Sequence, residues 1–491
     1  MRRSEHVSAR VAFIVLLLNG SVVLAQSGAS ASKLYVSATG ADSNPGTEKA
    51  PWRTVQHAAD AATAGSTVYV RGGVYEERVT INVSGNARGG FITFSSYPGE
   101  TAVLDGGKLI PEGRSGLILI KDKSYVRIQG LEICNYRTAD RRRTPMGISV
   151  LGSGTHIELL NNNVHHIQQT FDGRDAPERG ANAFGIAVYG TDPKIPITEL
   201  VIDGNEVHHL KTGSSESLVV NGNVANFRIT KNVVHDNNNI GIDIIGFEHT
   251  SSDPATDQAR DGVVSGNLVY NITSKGNPAY GDEQNSDGIY VDGGTRITIE
   301  RNVIHHVDFG IELASEHRGR TSSHVIARNN LIYACNTAGI SIGGYGAERG
   351  GTEQCTVVNN TLYGNDTAGT GAGEFQMQFN MRNNAFEHNI VYAGSKCLMT
   401  VSKSGPADEK TPAVTLDHNV YYCAASAEAS AWGWFPAHYS GFENYRKAAG
   451  NDRNSRFADP RFVNASASDF HLQSTSPAKG ANVSAGCYQE R

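Results

Sequence analysis

The sequence has little of what marks helical, membrane-spanning and nucleic-acid-binding proteins. Charged runs that favour helices are scarce among its 491 residues, which argues against an α-helical fold. Beyond residue 26, no apolar stretch approaches the roughly 20 residues that a membrane-spanning helix needs. The formal net charge of −6 argues against wholesale binding to nucleic acid or to anionic membranes. We expect a monomeric protein with neither nucleic acid nor a membrane as its partner.

The longest apolar run lies at the N-terminus and predicts export. Arg2, Arg3 and Arg10 precede the apolar residues 11–18, and small residues follow where cleavage would occur. A basic segment, a short apolar run and a small-residue cleavage site are the parts of a secretory signal peptide. We therefore predict a signal peptide over residues 1–25 and a secreted protein, either extracellular or periplasmic.

The chain has six cysteines, and export permits disulfides between them. Cys335 and Cys355 lie one repeat apart, and Cys397 is able to pair with Cys423 or with Cys487. Many pairings are consistent with six cysteines, so the sequence alone selects none of them. No spacing typical of zinc ligands stands out.

Two short sequence patterns recur along the chain. From residue 302 onward the first recurs every 28 to 30 residues, and longer spacings before it indicate inserted loops. This first pattern is Asn-x-[Val/Ile]-[His/Tyr], with its asparagines at Asn162, Asn205, Asn232, Asn267, Asn302, Asn330, Asn360, Asn389 and Asn419. The second opens a short strand with Gly-Ile, at Gly147-Ile148, Gly185-Ile186, Gly241-Ile242, Gly288-Ile289, Gly310-Ile311 and Gly339-Ile340.

A repeat of this length predicts a solenoid, and the alternation within its short segments indicates strands rather than helices. The sequence therefore predicts an all-β fold, a single-stranded right-handed parallel β-helix. Each coil would bury a column of Ile, Val and Leu against the next coil. We expect the repeated asparagines to form an internal ladder that bonds coil to coil.

Both ends of such a stack need covering, because an exposed sheet edge invites aggregation. Residues 26–110 are predicted to form an N-terminal cap and the first coils, with a short helix from Thr54 to Ala62 and a strand from Thr67 to Arg71. Residues 111–424 form the main β-helix. The aromatic-rich region within residues 425–491 is predicted to form a C-terminal cap and tail.

Both ends of the chain also resemble a known group. Residues 34–37, 40–47 and 68–75 are similar to the N-terminal cap of secreted bacterial β-helix proteins, among them the family-nine pectate lyases. Residues 459–462 and 469–472 are similar to the usual C-terminal ending of these proteins. The resemblance implies a pectate-lyase-like β-helix that acts on a polysaccharide.

The resemblance further implies a catalytic lysine, which this chain lacks. Family-nine lyases carry the pattern Asn-x-Asp-Gly-x-x-x-Lys, whose lysine takes the α-proton of the sugar. The corresponding segment reads Asn285-Ser286-Asp287-Gly288-Ile289-Tyr290-Val291-Asp292, so that Asp292 occupies the lysine position. This substitution weighs against a lyase of that kind.

Aligning the Gly-Ile strands predicts which side chains share the outer face of one sheet. Residues two apart point to the same face, so with Ile inward the next residue points outward. Carboxylates then gather on three consecutive coils about 4.8 Å apart, at Asp243, Asp292 and Glu312. The first outward column reads Ser149, Ala187, Val219, Asp243, Tyr290, Glu312, Ser341 and Gln376, and the second includes Tyr189 and Asp292.

Two carboxyl groups at this spacing are what glycoside hydrolysis needs. We predict Asp292 as the nucleophile or base and Glu312 as the general acid, and crowding by neighbouring carboxylates would hold one of the two protonated. Tyr290 is expected to bond a sugar hydroxyl or to orient a carboxylate. Asp243 is expected to do the same or to help bind a cation.

Other residues of this face are candidates for substrate contact. They include Tyr189 and Gln376 in the outward columns, and Glu316, His317 and Arg318 where the Glu312 strand turns. A solvated corner explains the last three equally well. Two long insertions, residues 247–261 and 274–286, fall on the coils that carry the carboxylates, and loops that long are usually functional or disordered.

The leading hypothesis is a glycoside hydrolase that acts on a polysaccharide, and two rivals stand beside it. In a calcium-dependent polysaccharide lyase or epimerase, Asp243, Asp292 and Glu312 would hold calcium, which prefers oxygen ligands. Calcium, the only cofactor that the sequence suggests, would neutralise a uronic acid. The third hypothesis is a non-catalytic glycan-binding β-helix. A lyase would also need a base, for which the candidates are Arg318, Lys275 and Arg260.

Overall fold

The computed structural model describes residues 32–172, 181–405, 413–479 and 485–488. Within these ranges the chain forms a β-helix whose strands pair in parallel with the equivalent strands of the next coil. This arrangement confirms the predicted all-β, single-stranded parallel solenoid. The predicted signal peptide, residues 1–25, lies outside the described residues.

Three long parallel sheets form the walls of the β-helix. The strands of the first sheet are Lys33–Val36, Thr67–Val70, Ile92–Ser96, Val126–Gln129, Gly154–Leu160, Ile197–Asp203, Val224–Thr230, Arg260–Ser265, Thr295–Glu300, Ile326–Arg328, Thr356–Val358, Asn384–Glu387 and Val414–Asp417, with Thr321–Ser323, Gly351–Glu353 and Met381–Arg382 as a short branch.

The second sheet carries the Gly-Ile strands. Its strands are Val79–Ile81, Arg114–Lys121, Thr144–Gly152, Phe184–Gly190, Leu218–Gly222, Ile242–Ile245, Asp287–Asp292, Phe309–Ala314, Ala338–Ile342, Phe375–Met377, Leu398–Ser402, Ala431–Trp434 and the antiparallel Ala437–Ser440.

The third sheet follows the asparagine pattern. Its strands are Gly73–Tyr75, Ala102–Asp105, Glu132–Cys134, Asn163–His165, Glu206–His208, Val233–Asn237, Leu268–Ile272, Val303–Val307, Leu331–Tyr333, Thr361–Tyr363, Ile390–Tyr392, Val420–Tyr422 and Arg456–Phe457. Two small pairs stand apart, Arg137–Thr138 with Gln168–Gln169 and Phe462–Asn464 with Asp469–Leu472.

The repeated asparagines form the predicted ladder inside the coils. The Asn162 Nδ2 atom donates to Oδ1 of Asn205 at 2.9 Å. The same bond repeats from one asparagine to the next until Asn389 donates to Asn419. Each amide also donates to a backbone carbonyl of the preceding coil, as Asn302 does to Val264. The ladder therefore satisfies buried polar groups that a β-turn corner would otherwise leave unpaired.

Aromatic and imidazole rings stack along the outer face of the third sheet. We call this row the ring stack. Adjacent ring centroids lie 4.7 to 5.2 Å apart. Its members are His165, His208, His235, Tyr270, His305 and Tyr333.

Both ends of the stack are capped. At the N-terminal end the helix Val55–Ala61 begins after Thr54, whose hydroxyl accepts the His57 N–H, and its buried side chains face the first coil. This confirms the predicted helix from Thr54 to Ala62. At the other end the helix Phe442–Ala449 covers Trp432, which is buried against Tyr421.

A buried aspartate and a disulfide complete the C-terminal end. Asp452 accepts hydrogen bonds from the Tyr421 and Tyr445 hydroxyls and from Asn419 Nδ2, at the last rung of the ladder. Cys397 is bonded to Cys423, which settles the pairing that the sequence left open. None of the helices in the described part of the chain is both long and apolar enough to cross a membrane.

Candidate active site

The outer face of the second sheet brings together the carboxylates that the strand alignment predicted. Val219 pairs with Asp243, Asp243 with Tyr290, and Tyr290 with Glu312. The column continues through Ser341 to Gln376. The predicted register is therefore correct on every coil of this column.

These carboxylates are buried, although they belong to an outer face. Asp243 is 2% exposed, Asp292 3% and Glu312 8%. Desolvation raises the pKa of Asp243 well above its usual value, and the charges of Glu216 and Asp292 raise it further. Its Oδ1 atom is buried without a hydrogen-bond partner among the described residues. Burying an unpaired carboxylate costs stability, so this arrangement is typical of a functional site.

A fourth carboxylate of this face, Asp287, was not predicted. The glycine after it explains why, because a Cβ at Gly288 would lie 2.6 Å from Cγ2 of Ile304 in the core. The Cβ position of Gly288 thus faces the core at the start of the strand. Asp287 therefore points outward, whereas strict period-two alternation from Ile289 would have pointed it inward. Asp287 is 2% exposed and meets Glu312 of the next coil.

Asp287 and Glu312 form a carboxyl–carboxyl pair. Desolvation raises the pKa of Asp287 well above its usual value, and the charge of Glu312 and a hydrogen bond to it raise it further. Desolvation also raises the pKa of Glu312 to about 7, against the lowering effect of hydrogen bonds from Ser341 and Asp287. Two carboxyls in contact cannot both ionise readily, so the pair holds a proton near neutral pH.

Ser341, Gln378 and Lys403 form a hydrogen-bond network around Glu312, in addition to its contact with Asp287. The Gln378 amide donates to Glu312 Oε1 at 2.8 Å, and the Ser341 hydroxyl donates to the same atom at 3.2 Å. Lys403 donates from Nζ to Oε1 of Gln378 at 3.3 Å. Desolvation lowers the pKa of Lys403, and the charge of Glu312 opposes that shift. Gln378 and Lys403 therefore orient Glu312 from the C-terminal side.

Asp292 lies close to Glu248 and His317, two loop residues on neighbouring coils. Desolvation, followed by the charge of Glu316, raises the pKa of Asp292 well above its usual value. The Glu316 backbone N–H, which donates to Asp292 Oδ1 at 2.7 Å, opposes this shift. Donor atoms of Asp292, Glu248 and His317 all lie within 4.8 Å of one another. His317 Nε2 is buried and has no hydrogen-bond partner among the described residues.

This group has the chemistry of a mixed nitrogen and oxygen cation site. Calcium takes six to eight oxygen ligands, whereas an imidazole with two carboxylates suits a transition metal. The carboxylates predicted to hold calcium are not gathered in that way, since Glu312 is bonded to Gln378 and Ser341 while Asp292 faces His317 and Glu248. The donor set around Asp292 therefore fits calcium poorly.

A cavity of about 530 Å³ adjoins the carboxylates on the N-terminal side. Glu216 and Glu248 line it together with Tyr189 and Arg114, whose guanidinium lies 4.7 Å from the centre of the Tyr189 ring. Desolvation, followed by the charge of Glu248, raises the pKa of Glu216 to about 8. This cavity extends the carboxylate-bearing face into a groove.

The remaining predicted residues are distributed over this region. Tyr290 is buried between Asp243 and Glu312, and Gln376 accepts from Ser341 at 3.4 Å. Tyr189 lines the groove, as predicted. Arg318 lies instead in a separate cavity of about 440 Å³ with Arg320 and Arg349.

Sequence reasoning missed Asp287, Glu216, Glu248, Gln378 and Lys403 as site residues. Glu216 precedes the strand Leu218–Gly222 in the way that Asp287 precedes Ile289, so the residue before each Gly-Ile position was a usable signal. Glu248 and Lys403 lie in connections, where no repeat predicts a direction. We call the face formed by Asp243, Asp287, Asp292 and Glu312 the acidic face.

Comparisons with known proteins agree with this architecture. A family profile described as right handed beta helix region matches residues 115–348 and 282–431, and one described as Pel9A-like, right handed beta helix region matches residues 34–188. The chain is 40% identical over 447 residues to the uncharacterized protein YwoF of Bacillus subtilis, covering 91% of this chain and 92% of that protein. It is 30% identical over 178 residues to pectate lyase PEL9 of Emericella nidulans, covering 32% and 43%.

Solved structures of similar shape act on different sugars. The GH136 lacto-N-biosidase of Eubacterium ramulus has a TM-score of 0.50 at 14% identity, covering 87% of this chain and 67% of that one. The A-module of the mannuronan C-5 epimerase AlgE6 of Azotobacter vinelandii has a TM-score of 0.50 at 13% identity, covering 83% and 93%. At these identities the likeness concerns the fold alone.

Proposed function

The chain belongs to the right-handed parallel β-helix family of pectate-lyase-like proteins, and on that premise we propose that it is a secreted enzyme that hydrolyses glycosidic bonds of a polysaccharide. The partial match to a pectate lyase supports chemistry on a sugar polymer. The side chains of the acidic face support hydrolysis as the type of reaction.

The Asp287–Glu312 pair carries this proposal. Glycoside hydrolysis needs a carboxylic acid that is still protonated near neutral pH, so that it protonates the leaving oxygen. Burial raises the pKa of Glu312 to about 7, against the lowering effect of the hydrogen bonds from Ser341 and Asp287, and the pair as a whole holds a proton near neutral pH. Gln378 and Ser341 both donate to Glu312 and hold its carboxyl group in one orientation.

Asp292 is the second carboxylate of the proposed reaction. Desolvation raises the pKa of Asp292 well above its usual value, whereas the Glu316 backbone N–H at 2.7 Å opposes this shift and stabilises the ionised form that a nucleophile or a base requires. Asp292 and Glu312 lie on adjacent coils of the same face, and a separation of about 5 Å gives retention whereas about 6.5–9.5 Å gives inversion. Tyr290, between Asp243 and Glu312, is placed to bond a sugar hydroxyl.

The experiment is a screen of the secreted protein on plant and microbial polysaccharides, with and without added calcium. New reducing ends and ultraviolet absorbance are recorded together, because a lyase product is unsaturated and a hydrolase product is not. We expect reducing ends without absorbance. We expect Glu312→Gln and Asp292→Asn each to lower the rate by about 10²–10⁴-fold.

The matched control is Asp261→Asn, which removes a carboxylate that pairs with Arg296 on the first sheet, away from the groove. It should keep the full rate. If the products absorb ultraviolet light and a chelator abolishes their formation, the reaction is that of a lyase rather than a hydrolase. Full activity of the Glu312→Gln variant would remove Glu312 from the mechanism.

A cation-assisted lyase or epimerase on a uronic-acid polymer is the second candidate. The group formed by Glu248, Asp292 and His317 favours it, because a bound cation would neutralise the uronate. Lys403 bonds Gln378 and interacts electrostatically with Glu312, whereas Arg260 bonds Asn223 at 2.9 Å. The same screen with a transition metal in place of calcium tests this candidate, and a Lys403→Met variant that loses only the absorbing product would support it.

A further inference from the structure

A separate cluster of donors lies on the outer face of the third sheet. In the strand Glu132–Cys134 the central Ile133 points into the core, so Glu132 and Cys134 point outward. In the next coil His165 pairs in register with Cys134. Glu132, Cys134 and His165 come together although 31 residues separate the thiol from the imidazole in the sequence.

The three donor atoms are close enough to share one ion. His165 Nε2 lies 3.2 Å from Glu132 Oε1, and Cys134 Sγ lies 4.0 Å from the same oxygen. All three lie within 4.8 Å of one another. Tetrahedral zinc, with bonds of about 2.0–2.3 Å, places its ligand atoms about 3.3–3.8 Å apart. Side-chain shifts of up to about an ångström would bring these ligand atoms to that geometry.

Neighbouring side chains support a metal at this position. The other nitrogen of His165, Nδ1, lies 2.7 Å from His166 Nδ1, which fixes the orientation of the His165 ring. Asn135 donates from Nδ2 to Cys134 Sγ at 3.3 Å. A fixed imidazole and a donor to the sulfur are what surrounds metal ligands in proteins.

Cys134 also differs from the other buried thiols. Cys335 and Cys355 pack within the hydrophobic core, whereas Cys134 belongs to none of the core clusters in the described part of the chain. Cys134 is nevertheless 2% exposed. Its thiol therefore faces polar neighbours in a site that excludes most water.

We propose that Glu132, Cys134 and His165 form a zinc site on the third sheet, with Asp105 or water in the remaining position. Asp105 pairs in register with Cys134 on the preceding coil. Binding converts the Cys134 thiol to a zinc-bound thiolate, and the released proton passes to solvent. The site lies on a different sheet from the acidic face and does not depend on the proposed hydrolysis.

The test uses the full-length secreted protein after dialysis against a chelator. Zinc is titrated by calorimetry, and cobalt(II) replaces zinc so that a thiolate–cobalt charge-transfer band reports sulfur ligation. We expect one equivalent with that band. Cys134→Ser should abolish the band and weaken zinc binding by about 100-fold or more.

Two controls keep the proposal falsifiable. Glu206→Gln alters a similar pair, in which Glu206 Oε1 lies 3.1 Å from His235 Nε2 without a thiol, and it should leave zinc binding unchanged. Zinc should also slow alkylation of Cys134 in the unaltered protein, which needs no variant. Binding that survives Cys134→Ser but disappears in His317→Ala would overturn the proposal and assign the ion to the groove, and no binding at all would also overturn it.

Discussion

The acidic face and the ring stack are two outer faces of the same coils, and they are built in opposite ways. Rings of the stack repeat from coil to coil, and each ring contacts the next at about the same distance. The acidic face has no such repeated contact, and its carboxylates are buried beside one another. Oδ1 of Asp243 and Oδ1 of Asp287 have no hydrogen-bond partner among the residues that the structure describes. In a solenoid, side chains that repeat from coil to coil stabilise the packing of the coils, whereas side chains that depart from the repeat indicate function.

The sharpest test of this contrast is activity. Asp287→Asn removes the partner of Glu312 on the acidic face, and we expect kcat to fall by about 100-fold because the general acid loses the carboxyl that shares its proton. His305→Gln on the ring stack should leave kcat unchanged. Steady-state rates on the substrate found by the polysaccharide screen measure both. Equal losses in the two variants would mean that the faces do not differ in function.

The largest effect on stability is expected from the ladder rather than from either face. Asn302→Leu removes the acceptor of two Asn267 N–H groups and a donor to Asn330, all buried. Because unsatisfied buried donors are costly, the free energy of unfolding should fall by about 3–5 kcal/mol. Chemical denaturation measures it, with Asn444→Ala as a control expected within about 0.5 kcal/mol, because Asn444 is exposed in the helix Phe442–Ala449 where alanine is well tolerated. A loss no larger than that of the control would contradict the structural role of the ladder.

The carboxyls on one side of the coils and the histidines of the ring stack should contribute to folding stability in opposite ways as the pH changes. Folding raises the pKa of Glu312 from 4.5 to about 7 and that of Glu216 from 4.5 to about 8, so the folded state binds more protons. Their contribution to stability is therefore present below pH 4.5 and is lost as pH rises toward about 8. Folding lowers the pKa of His208 and His305 from 6.5 to about 4, so their contribution is present above pH 6.5 and is lost as pH falls toward about 4.

Thermal unfolding at several pH values separates these contributions. In a Glu312→Gln and Glu216→Gln double variant, Tm should fall less between pH 4.5 and about 8 than in the unaltered protein. At the upper end of this range the double variant should be more stable than the unaltered protein. An unchanged slope would show that these carboxyls do not carry the linkage.

The smallest effect is expected within the ring stack. His305 lies between Tyr270 and Tyr333, so His305→Tyr continues a stack that already contains tyrosine. We expect a change within about 0.5 kcal/mol in the free energy of unfolding, measured by denaturant titration at pH 7. The acid-side loss of stability below pH 6.5 should become shallower. A loss of several kcal/mol would mean that the imidazole has a specific partner.

The fold and the outward column could be predicted because the Gly-Ile strands repeat and their register follows from the repeat. Asp243, Tyr290 and Glu312 were placed correctly on this basis. Asp287 was missed because Gly288 turns into the core and reverses the expected direction of its neighbour. Period-two alternation does not describe that corner.

Loop residues were missed for a different reason. Glu248 follows the strand Ile242–Ile245 and Lys403 follows Leu398–Ser402, and neither connection belongs to a repeated pattern. Their positions depend on tertiary contacts such as the bond from Lys403 to Gln378. The partner of Cys397 was likewise fixed by where the coils bring the thiols together, at a Cα–Cα distance of 5.5 Å from Cys423.

The asparagine ladder has an electrostatic consequence. Every side-chain amide donates toward the C-terminal end, so the amide dipoles from Asn162 to Asn419 point the same way and polarise one another. The positive end of this row meets the carboxylate of Asp452, which accepts from Asn419 Nδ2 at 3.2 Å. An anion at the N-terminus of an α-helix is stabilised by the same kind of dipole sum. Asp452 is thus a counter-charge for a dipole that runs along the inside of the coils.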